Sequence, residues 1–202
     1  VKNARDARGS LRDIWDGGWL RGAQRLPSPH CDARPQQIPV DLLVLHCISL
    51  PPGEYGSGAV QQLFTNTLDC AAHPAFASLR GLRVSAHFFI TRAGQLWQFV
   101  DCDWRAWHAG ASCWRGRARC NDDSIGVELE GLHGLRFDAP QYAALAHLCQ
   151  ALARRYPIEH VAGHEHIAPG RKHDPGSGFD WAQLQAQLAA HPATSHWRLP
   201  PG

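Results

Sequence analysis

Runs of apolar residues along the chain alternate with Pro- and Gly-rich stretches and divide it into a few regular elements. Residues 40–48, VDLLVLHCI, are almost continuously apolar and of strand length, which predicts a strand covered on both faces. His46 stands near the end of that run. After the turn-rich PPGEYGSG, the residues Val60, Leu63, Phe64, Thr67 and Leu68 recur at helical spacing and predict a helix over 58–68. RVSAHFFITRAGQLWQFV reads as two strands turning at Arg92, Ala93 and Gly94, where glycine can take the positive φ of a hairpin. In SIGVELEG the alternation is strict. Ile125, Val127 and Leu129 face one way, Gly126, Glu128 and Glu130 the other, so two carboxylates share one strand face.

Asp138 is a helix N-cap ahead of Pro140 and Gln141, and Tyr142, Leu145, Leu148, Cys149, Leu152 and Tyr156 follow at helical intervals up to Pro157. A last helix begins after Asp180, with Trp181, Leu184 and Leu188 as its buried stripe. Between the two helices, GHEHIAPGRKHDPG over 163–176 reads as a loop. The first forty residues are aperiodic and rich in proline, which predicts an extended arm over the body. The order strand, helix, strand pair, strand, helix, loop, helix predicts an α/β, or mixed α+β, domain: a central mixed β-sheet flanked by helices.

Composition narrows the function classes. A hydrophobic content of 44% with 19% charged residues fits a packed globular protein. No apolar run approaches the roughly 20 residues that cross a bilayer, so no membrane span is expected. The net charge of +2 is spread over mixed signs without a long basic run, which argues against nucleic acid as a partner. Seven cysteines without a C-x-x-C pair suggest reduced thiols, and the opening VKNARDARGS lacks an apolar signal region. A cytoplasmic protein is expected. Histidine, at 13 residues, is the outlier.

The histidines concentrate where chemistry is plausible: His164, Glu165, His166, His173 and Asp174 all fall within 163–176. A catalytic zinc site uses three N, O or S ligands and keeps a fourth position open. The helical motif H-E-x-x-H is absent, because Ala168 stands where its second histidine belongs and Pro169 and Gly170 oppose a helix. Loop ligands must therefore be joined by a residue from elsewhere. His46, at the end of a buried strand, is the natural candidate.

Six stretches, WLRGAQRLPSPHCDARP, LLVLHCISLPPGEYG, LRVSAHFFI, RAWHAG, RARCNDDSIGVELEG and GHEHIAPGRKHDPG, carry a similarity that runs in order from about Gly18 to Leu188. Together they resemble the AmpD-type 1,6-anhydro-N-acetylmuramyl-L-alanine amidases, relatives of the zinc amidase and peptidoglycan recognition protein fold. The resemblance implies one Zn2+ per chain on His46, His164 and Asp174, with water in the fourth position. It also implies Glu128 beside that water and Lys172 facing the substrate carbonyl. Arg83 and Arg119 would hold peptide carboxylates, and Trp107 would offer a face to sugar or peptide. Glu130 is left as a supporting or surface group, Glu165, His166 and His173 as non-ligands, and His87 and His108 as structural or cleft-lining. Cys47 departs from the pattern, which has Asn there, and strand alternation should point its thiol away from the metal.

The activity so implied is hydrolysis of the amide joining the lactyl group of (1,6-anhydro-)N-acetylmuramic acid to L-Ala, in cytoplasmic peptidoglycan recycling. The substrate would be a small soluble muropeptide, with no protein partner evident. A single amidase domain is expected over 18–190, with an N-terminal extension over 1–17 and a tail over 191–202. A periplasmic amidase acting on intact wall and a non-catalytic peptidoglycan-binding module are the alternatives.

Overall fold

A computed structural model describes residues 14–200, so most of the expected extension over 1–17 lies outside the described residues. Six strands form the main sheet: β1 (Gln24–Arg25), β2 (Leu42–Ile48), β3 (Phe88–Ile90), β4 (Leu96–Gln98), β5 (Ser124–Glu130) and β6 (His160–Gly163). Their spatial order is β6-β2-β5-β3-β4-β1. The four strands from β6 to β3 are parallel, β4 returns antiparallel to β3, and β1 lies parallel to β4. The sheet is mixed, as the element order predicts. The β3–β4 turn places Gly94 at φ 79°, with its N–H donating to the Thr91 carbonyl at 2.8 Å.

Among the described residues four α-helices accompany the sheet, α1 (Ala59–Phe64), α2 (Ala139–Ala153), α3 (His164–Ile167) and α4 (Trp181–Ala189), beside a 3-10 helix over Pro74–Leu79 and three small two-stranded pairings. One sheet face, with Leu43, Leu45, Ile125, Val127, Leu129 and Val161, packs against Leu145, Leu148 and Leu152 of α2 and Leu184 and Leu188 of α4. The opposite face packs Leu42, Val44 and Ala162 against Ala109, Cys120 and Ile167. Both faces of β2 are therefore dry, as an uninterrupted apolar run requires. His46 continues the Leu42, Val44 side of that alternation and emerges on the second face.

Helix starts are fixed by the residues that their caps need. The Asp138 N–H donates to Gln141 Oε1 at 3.0 Å, and the Gln141 amide donates onward to the Glu130 carbonyl at 3.0 Å, joining α2 to the end of β5. The Asp180 side chain accepts from the Gln183 N–H at 2.8 Å and starts α4. Helix α1 stops short of the expected residue 68, because Asn66 adopts φ 60° and the Thr67 N–H turns back to the Gln62 carbonyl.

Several expectations are corrected. Residues 160–163, for which no strand is expected, form the edge strand β6; four residues are too few to show a period. The segment 163–176 is not wholly a loop, since His164–Ile167 forms a single turn closed by the Ala168 N–H on the His164 carbonyl at 2.9 Å. Pro169 and Gly170 follow it and prevent any extension.

Both ends of the described chain pack on this body. Trp15 is buried edge-on against Tyr156 at 6.1 Å, and Trp197 is buried while Arg198 bridges His160. Indoles of that size are held in the body by the area they remove from water. The arm, within its described residues 14–40, is woven in rather than laid over. Cys31–Ala33 pairs with Trp104–Ala106, and the partly buried Arg34 donates to the carbonyls of Cys102, Asn121, Asp122 and Ser124.

Candidate metal centre and active site

In parallel sheets, sites form beyond the carboxyl ends of the strands. Here β2, β5 and β6 end side by side. His46 and Glu128 are register partners near the ends of β2 and β5, and His164 follows directly on β6. Asp174 comes from the returning loop, held when the Glu165 N–H donates to the Asp174 carbonyl at 2.9 Å. A Cβ on Gly163 would lie 2.8 Å from the Pro175 ring, so glycine permits the loop to pass this close over β6.

The three side chains converge on a small triangle. His46 Nδ1 lies 2.9 Å from His164 Nδ1 and 3.0 Å from Asp174 Oδ2, and the third side is 3.1 Å. Among the described residues, this is the cluster of His, Cys, Asp or Glu able to hold a metal ion. His46 and His164 are buried, while the Asp174 side chain keeps 19% exposure, so the cluster opens to solvent past Asp174.

The donor set fits a metal. His164 Nε2 is 3.1 Å from the Ala109 carbonyl, which can only accept, so that nitrogen carries the proton and Nδ1 is a bare lone pair. Two imidazole nitrogens and a carboxylate oxygen at this spacing approach a tetrahedral edge of about 3.3 Å for metal bonds near 2.0–2.1 Å. A further atom lacks a partner. Glu128 keeps some exposure as a residue, yet its Oε2 is enclosed with no hydrogen-bond partner. A buried carboxylate oxygen is costly without a donor, and a water beside the triangle would supply one.

The electrostatics favour unprotonated ligands. Burial lowers His46 from the usual imidazole value to about 4, although Asp174 opposes the shift. Burial works against ionisation of Asp174, but its contacts with His164 and His46 prevail and hold the carboxyl well below the usual range. Glu128 is displaced upward, by burial first and then by the Asp174 charge, while Lys172 pulls it down. Lys172 is half-buried, and its charge acts on both His46 and Glu128.

Behind the triangle lies a second row of histidines. His46 Nε2 is 2.9 Å from His108 Nδ1, and His108 Nε2 is 3.2 Å from the Ser124 hydroxyl. Asn121 Oδ1 accepts from the N–H groups of His108 and Ala109 at 3.2 and 2.8 Å. His87 accepts from the Gly126 N–H through Nδ1 at 3.0 Å, and its Nε2 lies 3.0 Å from both the Trp104 carbonyl and Arg34 Nη2.

The remaining expected residues divide between two places. Trp107 donates from Nε1 to Asp32 at 3.1 Å and stacks on His30, with centroids 5.9 Å apart and planes 14° apart. Arg119, 70% exposed and at φ 63°, pairs with Asp122 at 3.0 Å. Arg105 bridges Asp32 and Asp122, so Trp107 and Arg119 belong to one network. Arg83 is exposed outside that network, beside Val84, whose carbonyl accepts from His30 at 2.9 Å.

Glu130 is no surface group: its two oxygens accept from the N–H groups of Gly56 and Arg92 at 2.6 and 2.9 Å, fastening two loops. His166 accepts from the Gly163 N–H at 2.9 Å, and His173 is exposed against the His133 ring. Cys47 packs with the core on the opposite sheet face, where burial pushes its thiol up. Ser124, Asn121 and Arg34 escape the sequence reading. Only Ser124 leaves a trace there, on the same alternating face as Gly126 and Glu128.

Comparison with known proteins shows the family. The family model described as N-acetylmuramoyl-L-alanine amidase matches residues 36–177. The 1,6-anhydro-N-acetylmuramyl-L-alanine amidase AmpD of Citrobacter freundii is 53% identical over 175 residues, which cover 86% of this chain and 94% of that protein. A crystal structure of a selenomethionine derivative of AmpD matches with a TM-score of 0.83 at 52% identity, over 86% of this chain and 98% of that one. The amidase AmiD from E. coli, solved with the substrate anhydro-N-acetylmuramic acid-L-Ala-D-gamma-Glu-L-Lys, matches with a TM-score of 0.55 at 32% identity, over 76% of this chain and 60% of that one. With its family match spanning β2 to the ligand loop and its relatives covering most of its length, the chain belongs to the N-acetylmuramoyl-L-alanine amidase family.

Proposed function

We propose that the chain is a zinc-dependent amidase that cleaves the bond between the lactyl group of (1,6-anhydro-)N-acetylmuramic acid and the L-Ala of the stem peptide, in cytoplasmic recycling of peptidoglycan. The observation that carries the reading is the Nδ1, Nδ1, Oδ2 triangle of His46, His164 and Asp174 with the unpartnered Glu128 Oε2 on the neighbouring strand. Two imidazoles and one carboxylate suit zinc, one ion per chain, with a position left for water or substrate. When bound, zinc supplies a Lewis acid that polarises the carbonyl and makes water more acidic.

The chain's own residues then divide the work. Glu128 Oε2 takes the proton of the attacking water and returns it to the nitrogen of the departing L-Ala. Burial raises its affinity for that proton, which suits a group that must both accept and release it. Lys172 donates to the oxygen on which charge develops. Arg83 and Arg119 receive the peptide carboxylates, since guanidinium forks pair with carboxylates through two N–H groups. Trp107, held by Asp32 and His30, offers a rigid plane to sugar or peptide.

The anhydro sugar is supported by the name of the Citrobacter freundii relative and by the ligand of the AmiD complex. A cytoplasmic setting is supported by that kinship and by the free state of all seven cysteines. Among the described residues no helix is long and apolar enough to cross a membrane. The test is incubation of zinc-loaded protein with 1,6-anhydro-N-acetylmuramyl-L-Ala-γ-D-Glu-diaminopimelate, read by mass spectrometry. Release of the free tripeptide is expected. Intact substrate, where a control amidase cleaves it, would refute the proposal.

A further inference from the structure

We infer that His108 is a positioning residue that fixes the tautomer of His46, through a hydrogen-bond chain whose direction is set by the Cys120 carbonyl. The inference rests on the metal-site reading above, but the chain of contacts is visible without it. The Ser124 hydroxyl is in hydrogen-bond contact with the Cys120 carbonyl and lies 3.2 Å from His108 Nε2. A carbonyl can only accept, and a hydroxyl has one proton. That proton therefore points to Cys120. Ser124 Oγ is left as an acceptor, so His108 Nε2 must carry a proton directed at it. In the neutral ring His108 Nδ1 is then a lone pair, and it sits 2.9 Å from His46 Nε2. The proton between them belongs to His46 Nε2, which leaves His46 Nδ1 bare on the side of His164 and Asp174.

The arrangement is built rather than incidental. Asn121 Oδ1 holds the backbone of His108 and Ala109 together. Gly126 provides the room, since a Cβ there would fall 2.5 Å from the His108 ring. Ser124 and Gly126 both belong to β5, the strand that carries Glu128. The dipeptide His108–Ala109 consequently serves both histidines: its imidazole orients His46, and its carbonyl orients His164 from 3.1 Å. Outer partners of this kind typically change metal affinity 10–100-fold when removed.

The test compares zinc affinity of the full chain with those of His108→Phe and His108→Asn, by competition with a chromophoric chelator. Phenylalanine keeps the ring and loses the acceptor; asparagine loses the ring but can offer Oδ1 where Nδ1 stood. The expected result is a Kd about 10–100-fold weaker for His108→Phe and substantial recovery in His108→Asn. Equal affinity of His108→Phe and the parent, or equal loss in both variants, would overturn the inference. Nitrogen-15 NMR of the zinc-loaded parent gives a readout that needs no variant. A scalar coupling across the hydrogen bond between His46 Nε2 and His108 Nδ1, with the proton on His46, is expected. A proton on His108 Nδ1, or no coupling, would overturn it. A parent chain that binds no zinc would defeat the functional proposal instead, and the same NMR experiment on that metal-free chain would still decide the direction of the relay.

Discussion

His46 and Glu128 sit opposite each other on adjacent parallel strands, so the sheet itself fixes the separation between the proposed metal ligand and the proposed proton acceptor. Strands packed on both faces are poor at local adjustment. Neither group depends on a loop for its place, whereas Asp174 and Lys172 do.

Glu128→Gln should therefore leave zinc content and fold unchanged while lowering turnover by about 10²–10⁴-fold, the usual contribution of a general base. Metal content by atomic spectroscopy and initial rates on the anhydromuropeptide check this. Loss of the metal would make Glu128 a ligand.

Removing a corner of the triangle has the opposite pattern. Asp174→Ala should lose stoichiometric zinc together with activity, because two imidazoles alone cannot complete the set. His173→Ala should retain both, since His173 is exposed and touches only the His133 ring among its aromatic neighbours.

Arg34 links the arm to the start of β5 through the carbonyls of Asn121, Asp122 and Ser124. Arg34→Met should cost about 2–3 kcal/mol of stability, as several part-buried acceptors lose a charged donor at once. Urea unfolding of the metal-free chain measures it. Weaker zinc binding should accompany the loss, through the disturbed Asn121 and Ser124.

Acid should destabilise the metal-free fold through its buried histidines. Burial, with Arg34 nearby, lowers His87 from the usual imidazole value to about 3. Between about pH 6.5 and pH 3 the unfolded chain binds this proton and the folded chain does not, so stability falls as pH falls, by about 1.4 kcal/mol per unit at the steepest. His87→Asn should flatten the stability profile in that window by about one proton's slope. An unchanged profile would mean that His87 is protonated in the folded state.

The sequence makes some of this legible and hides the rest for physical reasons. Residues 40–48 and 124–130 show their burial because a strand's period is two and its apolar side must face a core. The resemblance of GHEHIAPGRKHDPG and LLVLHCISLPPGEYG to known amidases pointed to His164, Asp174 and His46, which the fold brings within 3.1 Å of one another. The strand β6 and the turn α3 were hidden because four residues carry no period. Asn121 and the carbonyls of Ala109 and Cys120 were hidden because their roles are made by tertiary contact, and a backbone carbonyl has no letter in a sequence. The arm misled most, since Trp15 and Arg34 lie among prolines and charges that read as surface.

The most direct measurement is the rate of amide cleavage as zinc is titrated into metal-free protein. The rate should rise from near zero in proportion to added zinc and level off at one equivalent per chain, with free stem peptide as the product. Full cleavage before any metal is added, or none at saturation, would contradict a single zinc site on His46, His164 and Asp174 as the seat of the activity.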